Sequence, residues 1–525
     1  MAKLVIDGRE IEAKDGQSVL QAALDHGIHI PHLCYHPALK VVGSCRMCLI
    51  EIEKVPKLQV ACGTAVRDGM VVSTNSERVR KARRGVLEFL LINHPLDCPV
   101  CDQAGECRLQ DYCFEYGQAG SRYQEDKRTF PKQDLGATLV RDMNRCIHCT
   151  RCIRFLRDVA GAEAFTLYER GNRTQVGTYL QAPVESPYSL NLVEVCPVGA
   201  LTSKHFRFKG RSWLMEKTRT LCAGCSRGCN VYAWSHKGRV LRLTAAENQK
   251  VNRIWLCDYG RLSIDAVYSD DRLKDALRMG DCVGLDAALD EAAAKLKKYK
   301  DDGAEIGVVA SARLTNEDNY AIRKLAREVL GTKHLAFAEG REDDRPFEPS
   351  DRPLPEWFQR EDQTPNSWGA RDIIMSTEQE GDVDGMIDKA RKGDLKALLV
   401  FGEDLTRVTG EDKVVEAEFL FVADTHKTRT VELAHIAVPE AAFLEKGGTY
   451  TNEEGRVQRL RPAVAPSGCA RSAWQTAQEL ARRMGADWQY RATAEVTAEI
   501  SAKVPGYQDV DYIEMPDEGL MVEHA

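Results

Sequence analysis

Long hydrophobic runs are missing from this 525-residue sequence. Nothing in it approaches the ~18 apolar residues that a membrane-spanning helix needs. The best candidate, GVLEFLLI, reads as a fragment of an amphipathic helix, so any membrane contact is expected to run through other chains. The start, MAKLVIDGRE, lacks an apolar signal core and gives no reason to expect export. A charge excess is missing too: 72 Lys and Arg against 79 Asp and Glu leave a formal charge of -7, which gives nucleic acid no bulk attraction. There is no strand–GxGxxG–helix unit followed by an acid, so no NAD or flavin site is expected. No Ser/His/Asp spacing argues for hydrolysis. The length implies three to five domains.

What is abundant is cysteine, and its distribution is uneven. Of 18 cysteines, 16 lie between residues 34 and 257, and only Cys282 and Cys469 follow. Without an export signal these do not read as disulfides; tight C-x2-C spacings read as metal or cluster ligands. The first set is Cys34, Cys45, Cys48 and Cys62. Around it, KLVIDGREIEAK reads as a hairpin through Asp7-Gly8 and SVLQAALDHG as a helix from Ser18 to Gly27. MCLIEIE and MVVST read as further strands. This context resembles a [2Fe–2S] ferredoxin, with a longer first gap than the plant-type spacing; zinc is the bland alternative. SERVRKARRGVLEFLLINH then predicts a helix with Ser76 as N-cap and Val79, Ala82, Val86 and Leu90 along its buried face.

The second set, in INHPLDCPVCDQAGECRLQDYC, offers Cys98, Cys101 and Cys107 with two candidates for a fourth ligand. His94 would give a Cys3His site and Cys113 an all-cysteine one, and spacing alone does not choose. The third set follows in CIHCTRCIRFLRD. Cys146, Cys149 and Cys152 keep the C-x2-C-x2-C of a two-cluster bacterial ferredoxin, and Cys196-Pro197 supplies the fourth cysteine. The ligand positions of the other cluster hold Leu156, Ser186, Ser189 and Leu192, an orderly loss of one whole ligand set. His148, between two cysteines, reads as a neighbour of the site or an exposed residue. The fourth set, Cys222, Cys225, Cys229 and Cys257, resembles the [4Fe–4S] domain at the front of molybdopterin oxidoreductases. Gly224 and Gly228 are expected to bring backbone N–H groups to its sulfurs; a zinc ribbon is the bland alternative.

The four sets in this order resemble the large iron–sulfur subunit of NADH:quinone oxidoreductase, respiratory complex I. NAD-linked hydrogenases and formate dehydrogenases share the leading modules. The family pattern H-x3-C-x2-C-x5-C falls on His94, Cys98, Cys101 and Cys107, which implies His94 as ligand and Cys113 as bystander. A neutral imidazole in place of a thiolate makes that cluster less negative and easier to reduce, other things equal. Its other ring nitrogen is expected to donate to a nearby acceptor.

Beyond residue 280, LDAALDEAAAKLKKY and NEDNYAIRKLAREVLG read as helices, the second between Thr315 and Gly331. EIGVVAS, KALLVFGED and FLFVAD read as strands of a doubly wound α/β fold. TPNSWGARDI and FLEKGGTYTNEEGRVQRL resemble molybdopterin oxidoreductase signatures, but only a Pro- and charge-rich connector, 341–363, stands where a catalytic insert would be. The glycines of GGTYTNEEG read as turns and GRVQRL as a strand. Cys282 reads as packed or solvated and Cys469 as isolated.

The expected fold is multidomain α+β and α/β. A [2Fe–2S] ferredoxin-like β-grasp domain (1–76) precedes a helical His/Cys3 [4Fe–4S] segment (77–117) and a degenerate bacterial-ferredoxin-like [4Fe–4S] domain (118–214). A molybdopterin-oxidoreductase-type [4Fe–4S] domain (215–275) and a truncated, cofactor-free α/β domain (276–525) follow. The resemblance implies an electron relay with one [2Fe–2S] and three [4Fe–4S] clusters, and without molybdopterin, FMN or NAD. No bond-making active site is expected on this chain. The implied partners are an FMN- and NADH-binding iron–sulfur subunit, a small [2Fe–2S] thioredoxin-like subunit, and downstream iron–sulfur or quinone-site subunits. The implied location is cytoplasmic, or peripheral on the cytoplasmic face of the inner membrane. A soluble hydrogenase or formate dehydrogenase relay is the alternative.

Overall fold

The computed structural model describes residues 1–338, 360–375, 383–409 and 417–523. The chain divides into two compact units, Met1–Met215 and Glu216–Ala525. The connector at 341–359 lies outside the described residues.

The first unit opens with β1 (Ala2–Ile6) and β2 (Arg9–Ala13), antiparallel through the Asp7-Gly8 turn. Both turn residues take positive φ, 49° and 82°, the requirement that selects Asp-Gly here. α1 (Val19–Asp25) starts with a reciprocal cap between Ser18 and Gln21 and buries Val19, Leu20, Ala22 and Ala23. With β3 (Leu49–Ile52), β4 (Gln59–Val60) and β5 (Met70–Ser73) the sheet runs β2-β1-β5-β3-β4. β1 and β5 are parallel, which completes a β-grasp around α1.

α2 (Glu77–Leu91) is capped by Ser76, which accepts from Val79 N at 3.3 Å. Its buried stripe differs from the expected one: Val79, Arg83 and Leu87 face the core, and Ala82, Val86 and Leu90 are only half-buried. The cause is Arg83. Its Nε donates to Met47 O at 3.2 Å and its Nη2 to Leu49 O at 3.1 Å, while the guanidinium lies 5.0 Å from the Tyr116 ring centre. A satisfied head group lets the hydrocarbon stem pack as core. α3 (Arg108–Tyr116) and α4 (Arg151–Arg154) follow. A three-stranded sheet pairs Leu139–Arg141 with both Gln133–Asp134 and Leu201–Ser203. Leu156 and Leu192 are fully buried, so apolar packing occupies positions that carry ligands in a two-cluster ferredoxin.

The second unit begins with an antiparallel sheet of Glu216–Leu221, Asn230–His236 and Arg239–Ala245. Beyond it in the chain is a seven-stranded sheet whose five strands Ile436–Pro439, Phe419–Asp424, Leu395–Phe401, Glu305–Ser311 and His334–Ala338 are parallel. Strands Ala276–Arg278 and Asp281–Val283 extend one edge in antiparallel sense. Cys282 is thus an exposed strand residue, the solvated of its two expected readings. The helix Asn316–Lys324 is capped by Thr315, and its π-helical continuation stops at Gly331 with φ 71°. Gly448 is not a turn residue. It opens the strand Gly448–Thr451, where a Cβ would stand 2.5 Å from Thr315 Cγ2. No described helix is long and apolar enough to cross a membrane.

Candidate metal centres

The first cysteine set lies in the loop after α1 and at the end of β4, and all four sulfurs are buried. They stand as two pairs. The thiol of Cys45 is hydrogen-bonded to Cys34, lowering the pKa of Cys34 and raising its own; Cys48 and Cys62 repeat the arrangement, with Cys62 lowered and Cys48 raised. Two sulfurs per pair is the distribution that a binuclear cluster, with two thiolates on each iron, requires. The Cys34 N–H points at Cys45 Sγ, 3.4 Å away.

The second set sits between α2 and α3. Burial pushes Cys107 up to about 11 and raises Cys101. Burial lowers His94 to about 4, so its imidazole is neutral at physiological pH, and its Nδ1 is buried without a hydrogen-bond partner. A buried, neutral and unpartnered ring nitrogen fits a metal ligand. Cys113 lies on α3, its thiol pushed up to about 11 by burial and by Cys98. The third set lines one cavity with all four of its side chains, walled by Ile147, Val176, Val198 and Leu201. Burial holds Cys146 at about 12 and Cys149 at about 11. The His148 N–H reaches Cys146 Sγ at 3.4 Å and its Nε2 pairs with Thr174 O at 2.9 Å, so this histidine supports the loop.

In the second unit, Cys222, Cys225 and Cys229 occupy the loop before strand Asn230–His236, and Cys257 caps the short helix Asp258–Leu262. Gly224 N donates to Cys222 Sγ at 3.4 Å, as expected, but Gly228 N bonds to Cys225 O at 3.4 Å and its φ of 67° marks a turn. Gly260, which sequence reading missed, is the closer approach. It donates to Cys257 Sγ at 3.3 Å, and a Cβ there would stand 2.9 Å from Cys222 Sγ. Burial pushes Cys222 up to about 12. Buried thiols held this high are poor thiolates until a cation is bound.

Sequence reading also missed the arginines between the sets. Arg145, beside Cys146, pairs with Asp97, beside Cys98, at 2.5 Å. Arg108, beside Cys107, lies 3.0 Å from His32 Nε2, two residues before Cys34. Cys107 Sγ lies 3.8 Å from the carbonyl of Pro197, next to Cys196. The signal was the run of basic letters in RCIHCTRCIRFLRD, of which Arg145, Arg151 and Arg154 are buried. Among the described residues no three His, Cys, Asp or Glu side chains close on one point as for a single ion.

Comparison with known proteins agrees along the chain. Residues 1–77 match a 2Fe-2S iron-sulfur cluster binding domain, and 83–122 the NADH-ubiquinone oxidoreductase-G iron-sulfur binding region. Residues 136–202 match the ferredoxin-like domain of NADH-quinone oxidoreductase subunit 3. Residues 215–269 match the molybdopterin oxidoreductase Fe4S4 domain and 363–483 molybdopterin oxidoreductase. Iron–sulfur binding domains of both the [2Fe–2S] and [4Fe–4S] types are therefore present. The G-type subunit of the NADH-quinone oxidoreductase of Rickettsia felis is 41% identical over 63% of this chain and 49% of its own. The chain spans about half the length of the first curated relatives it matches. An NAD+-reducing [NiFe]-hydrogenase structure aligns with 40% of this chain and 91% of its own at 30% identity, with a TM-score of 0.37. The mitochondrial NADH-ubiquinone oxidoreductase 78 kDa subunit of Neurospora crassa is 30% identical over 98% of this chain and 85% of its own. On that coverage the chain belongs to the family of G-type NADH-quinone oxidoreductase subunits and their mitochondrial 78 kDa counterparts.

Proposed function

We propose that this chain is an electron-relay subunit of an NADH:quinone oxidoreductase, carrying single electrons from a flavin-bearing NADH dehydrogenase partner toward quinone. In this reading Cys34, Cys45, Cys48 and Cys62 hold a [2Fe–2S] cluster. Three [4Fe–4S] clusters are held by His94, Cys98, Cys101 and Cys107, by Cys146, Cys149, Cys152 and Cys196, and by Cys222, Cys225, Cys229 and Cys257. When bound, such clusters supply one-electron acceptance and donation. The chain's own residues hold them apart, exclude water with apolar walls and direct N–H groups at sulfurs. The segments 1–76, 77–117, 118–214, 215–275 and 276–525 are the corresponding modules, the last without molybdopterin. The partners are an FMN- and NADH-binding subunit, a small [2Fe–2S] thioredoxin-like subunit and quinone-side subunits, which hold the chain at the cytoplasmic face of the membrane.

The observation that carries this reading is the linkage of three ligand sets inside the first unit. Residues flanking the cysteines touch across the sets, through Asp97–Arg145, Arg108–His32 and Cys107–Pro197, and adjacent centres are what a relay needs. The test is native mass spectrometry of the assembly purified anaerobically through this chain, with iron and sulfide analysis and electron paramagnetic resonance. We expect flavin and membrane subunits together with one binuclear and three four-iron clusters. A soluble assembly with a hydrogenase or formate dehydrogenase subunit would overturn the quinone assignment, and a chain without reducible clusters would overturn the relay itself.

A further inference from the structure

Arg151 and Arg154, which follow the third cysteine motif on one face of α4, are 3% and 2% exposed. Their donors end on main-chain carbonyls of two different cysteine loops. Arg154 Nη2 reaches Cys34 O at 2.7 Å and Cys149 O at 3.0 Å, while its Nη1 reaches Lys40 O at 2.5 Å and its Nε Thr150 O at 3.3 Å. Arg151 Nη2 bonds to Tyr35 O, next to Cys34, and its Nη1 to Val195 O, next to Cys196, at 3.3 Å. Each guanidinium thus spans from the first ligand set to the third. The carboxylate nearby is engaged elsewhere: Asp158 pairs with Arg157 at 2.8 Å and Lys40 at 4.0 Å. Cations buried this deeply need anions close by, and the sulfurs of the two sets become such anions when they ligate iron; Cys149 and Cys34 act on Arg154 ahead of Cys152 and Asp158.

We propose that Arg154, with Arg151 beside it, is a positioning residue shared by the first and third cluster sites. It fixes their separation through the Cys34 and Cys149 carbonyls and holds one positive charge common to both. The inference rests on the relay reading above. A charge common to both sites stabilises an added electron on either side, so it raises both reduction potentials together and leaves their difference nearly unchanged. The anchored fork sets the gap that an electron crosses. Lysine keeps the charge but loses the planar fork, and glutamine loses the charge.

The experiment compares the full chain in its anaerobically purified assembly with Arg154→Gln, Arg154→Lys and, as control, the exposed Arg157→Gln. The readouts are redox titrations of the [2Fe–2S] signal of the first ligand set and the [4Fe–4S] signal of the third set, at Cys146, Cys149, Cys152 and Cys196, and the magnetic interaction between them. We expect Arg154→Gln to shift both potentials downward together and Arg154→Lys to hold them near the wild-type values while altering the interaction. Arg157→Gln leaves all three readouts unchanged. Potentials that stay put in Arg154→Gln, or a shift of the third site alone, would overturn the proposal, since an arginine that only stabilises the fold lowers melting without moving both. If Arg154→Gln fails to assemble, Arg154→Lys decides: an altered interaction supports the shared site, and an unaltered one overturns it. A wild-type chain lacking reducible clusters at these two sets is a different failure, that of the relay reading.

Discussion

At the scale of single residues, His94 carries the most specific chemistry. Its imidazole is neutral because burial lowers its pKa to about 4, so it offers a lone pair without charge. Replacing it with cysteine substitutes a thiolate for a neutral donor. We therefore expect His94→Cys to retain a cluster at the second site with a lower reduction potential, and His94→Ala to lose that signal. Cys113→Ser is expected to leave iron content and spectra as they are. Redox titration followed by paramagnetic resonance separates the two candidates for the fourth ligand, and loss of the cluster in Cys113→Ser with its survival in His94→Ala would reverse the assignment. Arg83 belongs at this scale too. Its two hydrogen bonds satisfy the carbonyls of Met47 and Leu49 in the β-grasp domain. Arg83→Met keeps the stem and strands both acceptors, for which we expect a loss of about 1–3 kcal/mol. Denaturant unfolding of the first unit, followed through its [2Fe–2S] absorbance, measures it.

At the scale of elements, the short helix Asp258–Leu262 shows how a backbone is fitted to a sulfur. Gly260 sits on its first turn with no room for a Cβ between Cys222 Sγ and Leu256. Gly260→Ala is expected to displace that sulfur, so the fourth cluster is lost or spectrally altered while the three signals of the first unit persist. An unaltered fourth signal at full occupancy would remove Gly260 from the site. This residue also marks where the sequence stops being readable. The cysteine sets stand out in the sequence because two or three members of each lie within a few residues of one another, in C-x2-C spacings. The Asp7-Gly8 hairpin and the Thr315 cap were legible because a turn or a helix start depends on its own few residues. Which glycine approaches a sulfur depends on Cys222 and Gly260, 38 positions apart, and no local pattern records that. Arg83 displaced the expected apolar stripe of α2 because its partners are carbonyls on β3 and the loop before it. The order of the seven-stranded sheet was likewise beyond the sequence, since crossovers rather than strand composition set it.

At the scale of the whole molecule, the two units bury charge with different emphasis. In the first, the Arg151 and Arg154 guanidiniums end on carbonyls between cysteine sets, while Arg145 pairs with Asp97. In the second, acids and bases neutralise one another inside the α/β core: Lys446 Nζ lies 2.7 Å from Asp318 and 2.6 Å from Glu440, and Arg272 pairs with Glu445 at 2.6 Å. Glu317 differs from these: it is a fully buried acid that accepts from the Thr449 N–H and from the Thr449 and Thr497 hydroxyls. Burial raises its pKa from 4.5 to about 7, against the opposing pull of those hydrogen bonds. A folded-state pKa above the unfolded one means that folding favours the protonated acid. The resulting stability is fully present below about pH 4.5 and is lost as pH rises through about 7. Glu317→Gln keeps the shape and cannot ionise, so we expect it to match the wild type at pH 4.5 and to exceed it at pH 8. The shift corresponds to an advantage on the order of 3 kcal/mol. Thermal unfolding of the second unit in both proteins across this range measures the difference; an advantage independent of pH would assign it to packing rather than to the proton.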